Sequence, residues 1–375
     1  MGKINLTNNY KHKMKKKILM VVGKFYPEIS GGNLQCKKII DLLKNEYEFK
    51  ILTFTHKNTK FKLDKNKYDI KRIKTKKIFT YNLVLLIKVM NFFLKEKHNF
   101  SIVHIFGISK INIIIILLSK ILNKKIIVKF SSFGEDDLET IYNKSKINFF
   151  FHKYLCDKLI SIAPIFLKKC KDFKINRNKT KLIKNFLLIN KKKFFKNNII
   201  KISNNHKNVL CVGHFSRDKK NDVAFEIWKD AYLRGYKSNI IFVGNSSSNN
   251  YEVNKKIKKY IISEAKKYHL TRNVYFVEFE NQMEKIYNIS DILLMTSIRE
   301  GVPNALLESL YYGLYCICSK LPSIKNFLKF DNVRYIDVNS NKSTWSNELI
   351  KQLKKKKKKK INNLVSKKFN NMKIT

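Results

Sequence analysis

The 375 residues hold 78 lysines and arginines against 28 aspartates and glutamates, a formal net charge of +50, and 44% of them are hydrophobic. That apolar share supports two domains with sizeable cores rather than one. A charge this large suits nucleic acid or an anionic membrane, but lysines scattered among asparagines and isoleucines, with few arginines and no RNA-binding or zinc-finger motif, exclude a specific nucleic-acid partner. The basic surface still favours anionic lipid, at about 1 kcal/mol per well-placed lysine, and attracts phosphorylated substrates. Cys36, Cys156, Cys170, Cys211, Cys316 and Cys318 form no zinc pattern and no disulfide framework, so they read as small buried hydrophobes of a reducing cytosol. Ile18–Val22 is too short for a signal core. Ile111–Leu122, broken by Lys120, falls short of the roughly 20 residues that span a bilayer. The expected location is cytoplasmic, for a soluble or peripheral protein.

In chain order, residues 1–17 read as a flexible basic leader. Ile18–Gly23 is a buried strand, Lys24–Asn33 a loop containing Gly31 and Gly32, and a helix follows with Leu34, Ile39, Ile40 and Leu43 on its apolar side. Phe49–Phe54 is the second strand, so the chain opens as a βαβ unit of a doubly wound sheet. Gly31-Gly32 lacks the three glycines of a dinucleotide fingerprint. Phe100–Ile105 and Ile126–Phe130 are further strands, and His104 reads as a core residue. The acidic loop Ser131–Asp137 leaves the carboxyl end of a strand, where open α/β sheets bind ligands. Asp136 there binds acceptor hydroxyls or a cation, or caps the next helix. The first domain is set at 18–186, with a lysine- and asparagine-rich linker at 187–207.

The second domain, set at 208–345, starts with the strand Asn208–Gly213. Its loop runs His214-Phe215-Ser216-Arg217-Asp218-Lys219-Lys220-Asn221 into a helix from about Asp222. A strand ending in Gly213, followed by His214, Arg217 and Lys219 and then a helix, makes a phosphate-binding turn. Asn239–Gly244, Asn273–Val277 and Ile292–Met295 are strands, and Met283–Ile289 is a helix. After Met295 comes Ser297-Ile298-Arg299-Glu300-Gly301-Val302-Pro303-Asn304-Ala305-Leu306-Leu307-Glu308. Pro303 suits the first helical position, Leu306, Leu307 and Leu310 recur at helical spacing, and Gly313 ends the run. The amides from Gly301 to Ala305 lie at the positive end of that helix, a ready anion site. Glu300 and Glu308 flank them as acceptors for hydroxyl groups, so the turn suits a phosphorylated sugar. Residues 346–375 read as a lysine-rich tail whose run Lys354–Lys360 forms a surface helix, a membrane-attracted patch or a disordered end.

The stretch Glu300, Gly301, Pro303, Leu307, Glu308 resembles the Glu-x7-Glu motif of the group 1 (family 4) retaining glycosyltransferases. The Tyr26-Pro27…Gly31-Gly32 loop, Cys156–Pro164, Lys181–Asn185 and the order of strands from 209 to 328 resemble the same family. The resemblance implies the GT-B fold: two Rossmann-like doubly wound domains facing across a cleft. It implies a nucleotide-diphospho-sugar donor, with Gly31 and Gly32 near its phosphate, Glu300 at the sugar hydroxyls and Glu308 on the ribose. Lys219 fits the family's lysine position, and His214 stands where its arginine is usual, with Arg217 as the substitute. Phe186 replaces a glycine, and no histidine stands near Ser132. The expected enzyme is metal-independent, without a cofactor, acting on a lipid-linked glycan acceptor in surface polysaccharide or lipopolysaccharide synthesis. The alternatives are a nucleotide-sugar 2-epimerase of the same fold and an inactive basic relative.

Overall fold

A computed structural model describes residues 15–26, 30–56, 68–75, 83–187, 202, 206–245, 253–278, 283–355 and 363–370. Most of the expected leader, Pro27 with its two followers, most of the expected linker and the lysines from 356 to 360 lie outside the described residues. Lys16 and Lys17, assigned above to the leader, open the first strand.

The first elements are β1 (Lys16–Val22), α1 (Gly31–Leu43), β2 (Tyr47–His56), β3 (Asp69–Thr75), α2 (Leu83–Glu96), β4 (Ile102–Phe106) and α3 (Asn112–Ile121). There follow β5 (Lys125–Lys129), α4 (Leu138–Lys144), α5 (Lys146–Phe150), β6 (Lys158–Ser161), α6 (Pro164–Asp172) and β7 (Thr180–Leu182). These strands form a seven-stranded sheet ordered β3-β2-β1-β4-β5-β6-β7. The chain continues with β8 (Lys207–Val212), α7 (Asn221–Leu233), β9 (Ser238–Val243), α8 (Lys255–Lys267), β10 (Val274–Val277) and α9 (Met283–Ile289). It ends with β11 (Ile292–Met295), α10 (Asn304–Tyr311), β12 (Tyr315–Ser319), β13 (Val333–Ile336), α11 (Lys342–Lys354) and α12 (Asn363–Asn370). Its six-stranded sheet is ordered β10-β9-β8-β11-β12-β13.

The chain divides into two compact units, Met1–Val128 with Tyr154–Asp157, and Lys129–Lys153 with Lys158–Thr375. In the first unit β1 pairs in parallel with β2 and β4, with Met20 opposite Ile51 and His104. Parallel strands are covered on both faces, so they read as unbroken apolar runs; Leu19, Met20, Val21 and Val22 are all buried. Gly31 and Gly32 do not lie in a loop. They are the first residues of α1, because Ser30 caps the helix: its hydroxyl accepts from the Asn33 amide, and Asn33 accepts from the Ser30 amide.

In the second unit all pairings of the six-stranded sheet are parallel. Trp228 and Phe225 of α7 are fully buried in one core with Phe242, Leu294 and Ile317; each such side chain contributes about 1.5–3 kcal/mol. Asn208, Asn239 and Asn273, at or just before the starts of three neighbouring strands, hydrogen-bond in a row, each link 2.9 Å. A one-residue slip of any of these three strands would break that row. Helix α11 runs across residue 345, where the second domain was expected to end. Trp345, Leu349 and Ile350 are buried in the same core, so the expected tail starts inside a packed helix.

Candidate functional site

In the six-stranded sheet the order reverses between β8 and β11, so the connections after these two neighbours leave in opposite directions and open a crevice at their carboxyl ends. Residues 213–220 follow β8, and residues 296–303 follow β11. The Lys219 ammonium donates to Glu300 Oε1 at 2.6 Å, with side chains 24% and 12% exposed. Gly213 makes this reach possible. Its φ is 146°, and a Cβ there would stand 3.2–3.3 Å from the Lys219 stem, which lies across it.

Three further residues stitch the two loops. The Thr296 hydroxyl donates to the Lys219 and Lys220 carbonyls at 3.1 and 2.8 Å. The Ile298 amide donates to the Asp218 carbonyl at 2.8 Å. Arg299 grips both oxygens of Asp218 at 2.8 and 2.7 Å. Lys220 holds φ 52° at the start of α7, a conformation that costs a side chain about 1–2 kcal/mol and that the Thr296 bond offsets.

Gly301 departs from expectation. The close approach there is to the protein's own backbone: a Cβ would stand 2.0 Å from the Ser131 carbonyl oxygen and 2.7 Å from Ile162 Cδ1. The Glu300 carbonyl accepts from Ser323 Oγ at 2.8 Å and from the Phe133 amide at 3.4 Å. Val302 and Pro303 are buried too, and the Val302 carbonyl accepts from Asn185 Nδ2 at 2.9 Å. Pro303 is the N-cap of α10 rather than its first helical residue, with ψ 126° and no side-chain bond to the helix. Asn304 and Ala305, in the first turn, are half-buried, so a ligand meets these two before the three preceding residues.

Glu308 sits one turn further along α10 and accepts from the Tyr287 hydroxyl at 2.8 Å. Burial first, and the Glu308 charge second, push the Tyr287 phenol well above its ordinary range, so it stays a donor. Its ring stacks on Tyr312, with centroids 5.4 Å apart. His214 is half-buried behind Gly213, and Arg217 is exposed in the same loop.

Asp136 neither caps a helix nor turns outward. Asp137 is the cap, accepting from the Thr140 amide at 3.1 Å. Asp136 is buried and accepts from the Ser131 amide at 2.9 Å, the Ser131 hydroxyl at 2.6 Å and the Ser132 amide at 2.7 Å. Burial pushes its carboxyl up to about 7, against these donors. Asp136 therefore shapes the loop that carries the Ser131 carbonyl onto Gly301. Gly31 and Gly32 belong to the first unit, where a Cβ on either would meet nothing within 4 Å. The sequence reading missed Arg299, Asp218, Tyr287 and Ser323 as site residues. Arg299 stood beside Glu300 in the motif, but its partner comes from another loop.

The geometry therefore joins a cation, a carboxylate and a helix N-terminus at a sheet switch point, with a second, tethered carboxylate on the same helix. Residues 192–368 match the model of the family described as glycosyl transferases group 1. That segment, in the C-terminal half of the chain, is similar to this family. A curated relative, the amylovoran biosynthesis glycosyltransferase AmsD of Erwinia amylovora, is 29% identical over 109 residues. That alignment covers 29% of this chain and 28% of AmsD. Among solved structures, sucrose-phosphate synthase from Thermosynechococcus elongatus superposes with TM-score 0.69 at 14% identity, over 90% of each chain. HepE of Anabaena, in complex with UDP and glucose, gives TM-score 0.69 at 14% identity, over 94% of this chain and 95% of its own. At such identities these likenesses establish the fold. The chain thus has two Rossmann-like domains of the GT-B type, and Lys219, Glu300 and Glu308 lie in the segment that matches the family model. Among the described residues no helix is long and apolar enough to cross a membrane.

Proposed function

We propose that this chain moves a sugar, with retention of anomeric configuration, from a nucleotide-diphospho-sugar to a glycan acceptor in surface polysaccharide assembly. The acceptor is lipid-linked, the enzyme is peripheral on the inner face of the cytoplasmic membrane, and no metal or cofactor is needed. The observation that carries the reading is the 2.6 Å Lys219–Glu300 contact at the switch point, beside the N-terminus of α10. The match of residues 192–368 to the family model and the UDP and glucose bound by HepE support it. In the reaction the bond from C1 to the diphosphate oxygen breaks, and the nucleoside diphosphate leaves with the electron pair. The acceptor oxygen bonds to C1, and its proton is lost to the leaving diphosphate. Lys219, Arg217 and the amides of Asn304 and Ala305 stabilise the charge that grows on that group, which is where preorganised donors act most. Glu300 orients the sugar hydroxyls, and Glu308, steadied by Tyr287, holds the ribose.

The test is titration of the full chain with UDP, GDP and their sugars, with and without EDTA, at fixed salt. Saturable binding of one nucleotide that survives EDTA and is lost in Glu308→Ala supports the reading. Weak, base-indifferent binding that vanishes with salt refutes it. Release of UDP from a UDP-sugar without any acceptor assigns the site to a 2-epimerase instead.

A further inference from the structure

We propose that the outer face of α2 and α3, in the first unit, is a docking surface for an acidic phospholipid bilayer, with both helices lying in the plane of the interface. This deepens the membrane side of the proposed function and rests on that reading for its role, though not for its geometry. Along α2, Leu83, Ile87, Met90 and Leu94 are 71%, 47%, 45% and 56% exposed. Their spacing of four, three and four residues stacks them on one face. The opposite face is apolar as well: Leu85, Val89, Phe92 and Phe93 are buried. A helix that needed only to cover the sheet would carry charge outside. The neighbouring α3 repeats the pattern, with Leu117 and Ile121 36% and 75% exposed.

The outward stripe on α2 is about 17 Å long at 1.5 Å per residue. All 14 residues of the helix reach about 21 Å, short of the roughly 30 Å hydrocarbon core. The helix is therefore suited to lie on a bilayer, not to cross one. The surrounding charge selects the lipid. Lys88 and Lys95, each one residue after a stripe member, are exposed beside it, Lys97 is exposed just past the end of α2, and Lys125 is exposed at the start of β5. From Leu83 to Lys125 the sole acid is Glu96, and its carboxylate is held by Lys50 at 2.8 Å. An apolar stripe rimmed by a single sign of charge complements an acidic headgroup layer over an acyl core.

The test is flotation of the full chain, at moderate salt, with vesicles of phosphatidylcholine alone or with a quarter phosphatidylglycerol. Nucleotide binding is titrated in parallel. The chain is expected to float with the acidic vesicles only. Ile87→Gln/Leu94→Gln is expected to weaken that binding at least about tenfold by removing apolar burial. Lys88→Gln/Lys95→Gln is expected to weaken it about fivefold per lysine. Nucleotide affinity stays unchanged in both variants. The proposal is overturned if the apolar variant floats like the native chain, since the net charge alone then suffices. It is overturned equally by binding to neutral vesicles alone or to neither kind, or by a native dimer that the apolar variant dissociates, which assigns the face to a second copy. Intact flotation without nucleotide binding would sink the transfer reading and leave the docking surface standing.

Discussion

In the absence of donor, Lys219 is neutralised by Glu300, so a diphosphate has to compete with that carboxylate for the ammonium. At 2.6 Å between N and O, with charge centres near 4 Å and an effective dielectric of about 20, the gross attraction is about 4 kcal/mol. Desolvation and the remaining exposure reduce the net value to about 1–2 kcal/mol. Glu300→Gln keeps the shape and removes the competitor. UDP should then bind about 5- to 30-fold more tightly, while sugar transfer falls because the carboxylate that orients the donor is gone. Lys219→Met should act in the opposite sense on binding, weakening UDP at least about tenfold. It should also destabilise the fold by about 3 kcal/mol, because Glu300, 12% exposed, is left as an unpaired carboxylate. The double variant should regain part of that stability, which isolates the pair term. Calorimetric titration with UDP at fixed salt, together with urea unfolding of all four proteins, provides the readout. UDP affinity that is unchanged or weaker in Glu300→Gln would refute the competition argument.

Gly301→Ala should destabilise the protein by about 3 kcal/mol or more, because the Ser131 carbonyl would have to retreat from 2.0 Å; an unaltered thermal midpoint would contradict this. Tyr287→Phe removes the donor to Glu308 and should cost about 1–2 kcal/mol, seen as weaker binding of whichever nucleotide the native chain prefers, with the choice of base unaltered; an unchanged dissociation constant counts against the tether. Two buried groups should give opposing pH dependences of stability. Burial holds the His152 imidazole down to about 4, so its contribution is complete above the unfolded value near 6.5 and is lost as pH falls towards 4. Asp136, pushed up to about 7, contributes fully below the unfolded value near 3.9 and loses this as pH rises towards 7. Asp136→Asn should therefore make stability climb with pH about 1.4 kcal/mol per unit more steeply than in the native protein between about pH 4 and 7; equal slopes in urea titrations would exclude it.

The strand-turn-helix from Ile292 to Tyr311 was legible because a buried parallel strand is an apolar run and Gly301, Pro303 and Gly313 punctuate it. Lys219 was legible from its distance to Gly213. The edge strand β3 was not: Asp69–Thr75 sets two isoleucines three apart among four charged residues, with no period-two pattern, and in this lysine-rich chain that resembles a loop. The same excess hid α8 and misplaced the end of the second domain, since Leu349 and Ile350 continue from Trp345 at helical spacing into a segment that composition marked as tail. The cap slipped from Asp137 to Asp136 because adjacent acids offer the same chemistry, and only backbone geometry separates them. Arg299–Asp218 and Tyr287–Glu308 are contacts between distant segments, which no local pattern encodes. Gly301 carried the right signal with the wrong partner: a glycine reports that something comes close, and here it is Ser131 rather than a ligand.

Much of the charge at the switch point is paired. Lys219 faces Glu300 and Arg299 faces Asp218, so these two pairs cancel, and Arg217 and Lys220 remain as the excess within the two loops. A chain of +50 would hold any polyanion if its lysines gathered in the crevice. The two ion pairs oppose that by giving Lys219 and Arg299 a resident anion with which a ligand has to compete. On the proposed reading, preference for a diphosphate over other anions comes from the loop geometry, with Gly213 admitting the lysine stem and Thr296 fixing the turn. Further unpaired charge lies beside the apolar stripe of α2, where a bilayer surface requires charge but no particular geometry. Fixed pairs at the crevice and loose lysines along α2 thus separate recognition of a small anion from attraction to an extended one.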